Sequence, residues 1–399
     1  MEHKMSNSKF GIGIIGFGNR RYLVEHAHQP QNGVEILGVA DVYPQALEEA
    51  KKKYGEKIFV TTNYHELLAR KDIQAVFILS PDFLHEEQAI AALDAGKAVY
   101  LEKPMAITIE GCDRILKKAF EKKGKIYVGH NMRHMALIQT MKKLIDDGKI
   151  GQVKAGWCRH FISYGGDAYF KDWHAERSKG TGLLLQKGAH DIDVLHWLCG
   201  GYTQRVNAMG ELSLYGQIKD RRDPKSHDHA VFDVKNWPPL SQKQLNPVID
   251  VEDLNMMLMK LDNGVLASYQ QCHYTPDAWR NYTIIGTEGR LENIGDAPGH
   301  CAIRVWNKRN DGYNVFGDEQ YFIPETSGSH GGADPNIVQE FIDFVRNNSK
   351  IITSPIAARY SVAAGCKATE SLRNGGSPMD VPQLSSELIE YFSQSVRSL

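Results

Sequence analysis

Apolar and polar positions follow two different regimes along this chain. Up to about residue 130, short apolar runs alternate with amphipathic stretches. The runs Phe10–Phe17, Val34–Ala40, Ile58–Thr61, Ala75–Leu79, Ala98–Leu101 and Ile126–Val128 predict strands. Between them Pro44–Tyr54, Tyr64–Arg70, Pro81–Ala95 and Ile109–Lys122 predict helices, the last two stopped by Gly96 and Gly124. Leu84, Ala89, Ile90 and Leu93 lie close to helical spacing. Strands that are apolar throughout, each followed by a helix, predict a parallel sheet covered on both faces.

From Val153 onward strand-like stretches crowd together, at Val153–Ile162, Val206–Leu214, Met256–Leu261, Val265–His273, Asn281–Ile285 and Ala302–Trp306. Turn signals such as Asp262-Asn263-Gly264 and Glu288-Gly289 join several of them. One helix, Gly188–Leu198, interrupts the series, and Asn336–Arg346 and Ala357–Arg373 predict closing helices. The expected fold is α/β: an N-terminal domain over 1–135 with a parallel sheet covered on both faces, then a C-terminal α+β domain over 136–399. The strand-like stretches of the second predict a large, mostly antiparallel or mixed sheet. The closing helix, to about residue 374, is expected near the domain junction. Asp220–Pro247 is polar and holds four of the 15 prolines, which predicts a loop or insertion.

Composition adds exclusions. With 399 residues, 42% hydrophobic content and a formal net charge of −1, no global field draws the chain to nucleic acid or an anionic membrane. No apolar run approaches the ~20 residues of a membrane helix, and Met1–Lys9 lacks the apolar core of a signal peptide. The expected setting is the cytoplasm and the expected partner a small molecule. The six cysteines are scattered without a C-x-x-C pair, as reduced thiols would be.

Candidate chemistry begins at the first turn. Gly16-Phe17-Gly18-Asn19-Arg20-Arg21 follows a predicted strand and opens a helix. Its two glycines allow a tight turn and close approach of backbone to pyrophosphate. Arg21 stands where a third glycine would pack helix on strand. Asp41 ends the second strand about 25 residues after Gly16, where a carboxylate accepts hydrogen bonds from ribose hydroxyls and repels a 2′-phosphate. NAD is therefore favoured over NADP. Lys103, in Glu102-Lys103-Pro104, ends the fifth strand and points into the crevice where such sheets bind ligands. A structural ion pair is the bland alternative for it. His227-Asp228-His229 has metal-ligand residue types but no third ligand in view, so an exposed loop is favoured and no metal is expected.

Together, Gly16-x-Gly18, Asp41, Ser80-Pro81-x-x-x-His85, Glu102-Lys103-Pro104 and Gly188-x-His190-x-x-Asp193 resemble the glucose–fructose oxidoreductase/inositol dehydrogenase/rhizopine catabolism (Gfo/Idh/MocA) family. The resemblance spans almost the whole chain. It implies a Rossmann domain followed by a domain whose open sheet backs the active site and builds a homodimer or homotetramer. It implies that Gly16, Phe17, Gly18, Asn19, Arg20, Asp41, Ser80, Pro81, His85, Glu102 and Lys103 line the cofactor cleft, and that Lys103 and His190 are catalytic. The implied reaction is hydride transfer between NAD and a secondary hydroxyl of a sugar, sugar derivative or cyclitol. Asn131, Arg133, Tyr164, His174, Gln186 and Lys187 are the expected substrate contacts. His330 is a weaker candidate, just before a helix start at Asp334-Pro335.

One departure bears on mechanism. Many family dehydrogenases carry an aspartate four residues before the active-site histidine, completing a Lys/Asp/His set. Here that position is Gln186, which binds a hydroxyl but cannot take its proton. The base role shifts toward His190 or a loop residue such as Tyr164, Asp172 or His174. Two rival functions stay open: a glycosidase that retains NAD and oxidises a ring hydroxyl transiently, and a non-catalytic sugar or cofactor sensor.

Overall fold

The apolar runs of the first regime assemble into one parallel sheet. In this computed structural model, which describes residues 9–224, 232–326 and 329–397, its strands are β1 (Phe10–Ile15), β2 (Val34–Ala40), β3 (Phe59–Thr61), β4 (Ala75–Ile78), β5 (Ala98–Leu101) and β6 (Ile126–Val128). Their order is β3-β2-β1-β4-β5-β6, parallel throughout. Connection direction reverses between β1 and β4, and ligands bind at the carboxyl ends of strands at such a switch point. Gly16 and Ser80 therefore both sit at the mouth of one crevice.

Every position of β4 and β5 is buried because both faces are covered. On one face Val76, Ile78, Val99 and Leu101 join Leu93, Ile115, Leu116 and Ala119 of the helices His85–Asp94 and Ile109–Lys122. Thr108 caps the latter by accepting from the Gly111 amide at 3.0 Å. On the other face Phe77 and Tyr100 stack at 4.6 Å, with Phe341 edge-on to Phe77 at 5.2 Å. Phe341 comes from the distant helix Ser329–Asn347, so the late chain returns to complete the first core.

The second sheet holds β7 (Val153–Phe161), β8 (Thr203–Glu211), β9 (Leu254–Leu261), β10 (Leu266–Cys272), β11 (Trp279–Gly286), β12 (Arg290–Ile294), β13 (Cys301–Trp306), β14 (Glu319–Ile323) and β15 (Met379–Asp380). The order is β14-β13-β12-β11-β7-β10-β9-β8-β15, antiparallel except for the β7–β10 pair. Along β9 burial alternates: Met257, Met259 and Leu261 face the helices, Met256 and Leu258 face outward. Asp262-Asn263-Gly264 forms the predicted hairpin turn, with Gly264 at φ +85°. The closing helix, Pro355–Arg373, packs on β8 and on the helices Gly188–Cys199 and Ile109–Lys122. Its Arg359, 1% exposed, forks onto Asp113 at 2.7 and 3.1 Å. That ion pair ties the closing helix to the first domain.

Several elements differ from expectation. The stretch Pro81–Ala95 is broken: a 3₁₀ turn covers Asp82–Leu84 before the α-helix starts at His85. A 3₁₀ helix, Asn19–Ala27, follows the glycine turn. The helix Ala136–Asp146 and strands β12, β14 and β15 were not expected from the pattern. The His227-Asp228-His229 sequence lies outside the described residues. All six cysteines are free thiols. Among the described residues no helix is long and apolar enough to cross a membrane.

Candidate active site

Gly16 has φ +87°, a backbone region that disfavours side chains, and a Cβ there would lie 2.7 Å from the Ser80 amide nitrogen. The β1 turn thus passes directly under the β4 loop. Gly18 is the opposite case: a Cβ on it would meet nothing within 4 Å. Internal packing gives no reason for this glycine; the open space above it is where a ligand's phosphates could approach the backbone. The 3₁₀ helix beyond it has no side-chain cap, so its first amides can face an anion. Asp41 accepts from the Phe17 amide at 2.7 Å and the Tyr43 amide at 2.8 Å, fixing the turn to the end of β2. A carboxylate has about four lone-pair sites, which leaves capacity for ribose hydroxyls. These residues fit a dinucleotide. Asn19 begins the helix, and Arg21, in the third-glycine position, donates to the Gly18 carbonyl at 3.3 Å.

Arg20 and Glu102, both expected to line the cofactor cleft, pair with each other at 2.8 Å. Arg20 also reaches Asp334 at 3.4 Å. Burial opposes its charge, but the two carboxylates outweigh that and raise its pKa. Asp334 further accepts from Asn131 at 3.3 Å and lies 2.9 Å from the His330 ring. A charged network thus closes the cleft between the glycine turn, the end of β5 and the late helix. His85 is fully buried, its ring nitrogens 2.7 Å from the Pro104 carbonyl and 2.9 Å from the Ser80 carbonyl. It staples the β4 loop to the β5 loop, across the cis Lys103–Pro104 peptide. The Ser80 hydroxyl donates to Gln88 at 2.5 Å. Pro81 caps the following 3₁₀ turn.

Lys103 extends from this rim to the second domain, where its Nζ donates to the Gln186 carbonyl at 3.3 Å. Burial lowers its pKa to about 8, assisted by the cations of Lys187 and Arg20 and opposed by Asp82 and Glu102. A lysine so placed can hold or release a proton near neutrality. Facing it, the short helix Leu183–Gln186 and the helix Gly188–Cys199 present Gln186, Lys187 and His190. Burial first, then the charges of Lys103, Arg280 and Lys187, hold His190 well below the usual histidine range. The ring is therefore neutral, and its Nδ1 is buried without a partner. The base role that the sequence shifts toward His190 thus meets a ring held neutral. The Gln186 Oε1 is likewise buried and unpartnered.

Lys187 donates to the Tyr164 hydroxyl at 3.0 Å and lies over the Tyr164 and Tyr169 rings at 5.2 and 5.4 Å. Burial works against ionisation of Tyr164, yet Lys187 and Arg280 leave its pKa below the ordinary tyrosine value. His174 stacks on Trp173 at 3.8 Å, and Trp173 meets Phe83 edge-on at 5.9 Å, so this loop docks on the β4 loop. Arg133 is occupied elsewhere: it forks onto Asp193 at 2.7 Å through both Nε and Nη2 and donates to the Ile352 carbonyl at 3.0 Å.

Three residues at the site went unread in the sequence. Asp191, fully buried, accepts from Tyr269 at 3.0 Å, Arg280 at 2.9 Å and Tyr282, anchoring the His190 helix to the second sheet. Arg280, on β11, has no local motif to reveal it. Asp82 lay in plain view at the first unspecified position of Ser80-Pro81-x-x-x-His85.

Comparison with known proteins follows the same division. The family model described as the oxidoreductase family's NAD-binding Rossmann fold matches residues 10–130. Its C-terminal alpha/beta domain, in the Gfo/Idh/MocA designation, matches residues 142–381. YteT of Bacillus subtilis (strain 168), an oxidoreductase by name, is 26% identical over 381 residues, covering 83% of this chain and 88% of that protein. Inositol 2-dehydrogenase of Salmonella typhimurium (strain LT2) is 32% identical over 190 residues, 47% of this chain and 52% of that enzyme. The match thus spans about half the enzyme's length. Among solved structures, levoglucosan dehydrogenase in complex with NADH and levoglucosan superposes with a TM-score of 0.72 at 20% identity, covering 94% of this chain and 100% of that one. The WlbA dehydrogenase from Bordetella pertussis, in complex with NADH and UDP-GlcNAcA, gives 0.73 at 20% identity over 95% and 99%. These structural likenesses show the shared fold.

Proposed function

The chain belongs to the Gfo/Idh/MocA oxidoreductase family, and from that premise we propose that it is an NAD-dependent dehydrogenase of a secondary hydroxyl on a sugar, sugar derivative or cyclitol. The observation that carries the reading is Lys103: a half-buried amine with pKa about 8 at the carboxyl end of β5, across the cleft from Gly18 and in contact with the Gln186 backbone. NAD, when bound, supplies the hydride acceptor. Gly16, Phe17, Gly18, Asn19 and Asp41 would hold it, with the β4 loop from Ser80 to His85 covering it. Asp41 favours NAD over NADP. Lys103 takes the hydroxyl proton, while His190 and the Gln186 amide orient the hydroxyl. Asn131 and the 164–174 loop shape the substrate side. The inositol, levoglucosan and UDP-sugar names among the relatives support a polyol or sugar substrate.

The glycosidase reading draws on Tyr164, whose depressed pKa beside Lys187 suits a base for a C–H proton. A screen of inositols, free sugars and glycosides with NAD, following NADH absorbance and released sugar together, tests both. NADH accumulating with a polyol is expected. Sugar release without net NADH would favour the glycosidase, and no signal with any polyol together with no NAD binding would end the enzymatic reading.

A homo-oligomer built through the second sheet belongs to the same proposal. Met209, Met256, Leu258, Trp157 and Leu266 lie exposed in adjoining register on its outer face. An apolar patch of this kind marks an interface.

A further inference from the structure

Gln186 removes one carboxylate from reach of Lys103, yet another stands beside that lysine. Asp82, first residue of the turn after β4, is 5% exposed, and its buried Oδ2 makes no close hydrogen bond, the Gln186 amide being the donor within its reach. Native proteins rarely leave such an oxygen unpaired, so the group calls for a reason. The charged and polar groups facing it are His85, Lys103, His174 and the Gln186 amide. Seen from Lys103, Asp82 is the strongest anionic neighbour, ahead of Glu102. The Glu102 oxygens are already taken by Arg20 and by the Lys103 backbone amide. Lys187 and Arg20 are the cations around the amine. Packing of Phe83 on Trp173 and the His85 staple keep the turn in place.

We infer that Asp82 fills, from the opposite wall of the cleft, the relay position left empty by Gln186: it steadies the Lys103 ammonium and accepts a proton from it. This rests on the dehydrogenase reading. Of the two hydrogens a carbinol loses on oxidation, NAD when bound would take one as hydride with its electron pair. The other is the hydroxyl proton. Its O–H bond breaks as an N–H bond forms on the neutral Lys103 Nζ. That amine rests on the Gln186 carbonyl and makes no ion pair with Asp82 in the unliganded protein, so one ammonium proton passes to the Asp82 carboxylate as the flexible lysine swings toward it. Burial holds the Asp82 pKa above the usual carboxylate range, which narrows its gap to the lowered lysine. Gln186 can donate to the carboxylate or to the substrate but cannot hold the proton. Asp82 is thus a positioning and relay residue acting through Lys103.

The first test needs no substrate. Competitive acetylation of Lys103 by acetic anhydride, read by mass spectrometry from about pH 6 to about pH 11, gives its protonation midpoint in the unliganded protein. Asp82→Asn should lower that midpoint by about one pH unit, because a carboxylate stabilises the ammonium. Asp82→Ser is measured in parallel, so that a folding defect in one variant does not decide. An unchanged midpoint in a folded variant overturns the inference.

The second test uses NAD with myo-inositol, D-glucose and their glycosides. Asp82→Asn should cut kcat about 100-fold and displace the pH profile, with the fold intact by circular dichroism. Adding Gln186→Asp should restore at least about tenfold of the loss. A loss below threefold with an unaltered pH profile overturns the relay. Should wild type oxidise no polyol, the dehydrogenase reading fails, and the acetylation midpoint still decides whether Asp82 and Lys103 share a proton.

Discussion

Lys103 must be unprotonated to receive a hydroxyl proton, and burial brings its pKa down to about 8. The rate of polyol oxidation should therefore rise as pH increases through about 8 and level off above it, while carbonyl reduction, which needs the ammonium, should fall over the same range. A kcat/KM profile in both directions checks this, and a flat oxidation profile would remove Lys103 from the proton path. Lys103→Met should lower kcat by at least about 100-fold, within the usual range for a lost acid–base group, with NAD still bound. Asp41 supports a second prediction. Its carboxylate pins the glycine turn through Phe17 and Tyr43 and would repel a 2′-phosphate. Asp41→Ser should weaken NAD binding and narrow its preference over NADP by about tenfold, measured as the ratio of the two kcat/KM values. Lys103 and Asp41 were legible from their positions at strand ends. Asp82 was not, because an aspartate following proline reads as an ordinary helix-start residue until its burial is known.

At the scale of elements, the helix carrying His190 is held by two buried carboxylates, Asp191 to the second sheet and Asp193 to the turn after β6. Arg133 meets Asp193 through both ends of its fork. Burial opposes the charge of Asp193, but Arg133 and His130 outweigh it and keep its pKa well below the ordinary carboxylate value. A carboxylate whose folded pKa is depressed contributes stability above its unfolded pKa and loses it as pH falls through the folded value. The pair should thus contribute fully above about pH 4 and weaken only in stronger acid. Arg133→Met, which strands a buried charge, should cost about 3–5 kcal/mol at neutral pH, a loss that shrinks in acid as Asp193, no longer held down by Arg133, takes up a proton. Arg133→Met with Asp193→Leu should recover most of that. Thermal melts between acid and neutral pH check both, and equal melting of single variant and wild type would show the pair to be idle. In the sequence Arg133 read as a substrate contact because it follows β6 above the cleft. Its partner lies 60 residues away, and no local spacing reveals such a pair. Elements with strong period, such as Pro44–Tyr54, Ile109–Lys122 and β5, were legible to the residue. Polar or very short strands, such as β12, β14 and β15, were not, since neighbouring strands rather than their own side chains define them.

On the scale of the molecule, the same long-range dependence explains why the two regimes of the sequence are not two independent bodies. The helix Ser329–Asn347 supplies Ile337, Val338 and Phe341 to the first core, and the closing helix locks onto Asp113 through Arg359. With one face of the second sheet committed to helices, its other face presents Met209 beside Met256, and Leu258 in one row with Trp157 through β10. Leu258 is 58% exposed and Leu266 61%. An outward row of large apolar side chains on an antiparallel sheet gains roughly 25 cal/mol per Å² when a second copy covers it, and a symmetric pairing presents the same patch from each partner. The chain should therefore elute as a dimer or tetramer in size-exclusion chromatography with light scattering. Leu258→Lys with Leu266→Lys places four like charges across each two-fold contact and should yield monomers. Lys103 and Asp82 lie at the cleft between the parallel sheet and the Gly188–Cys199 helix, on the covered side of the second sheet, so NAD binding should persist in those monomers. A wild-type monomer would show that this face serves some other contact.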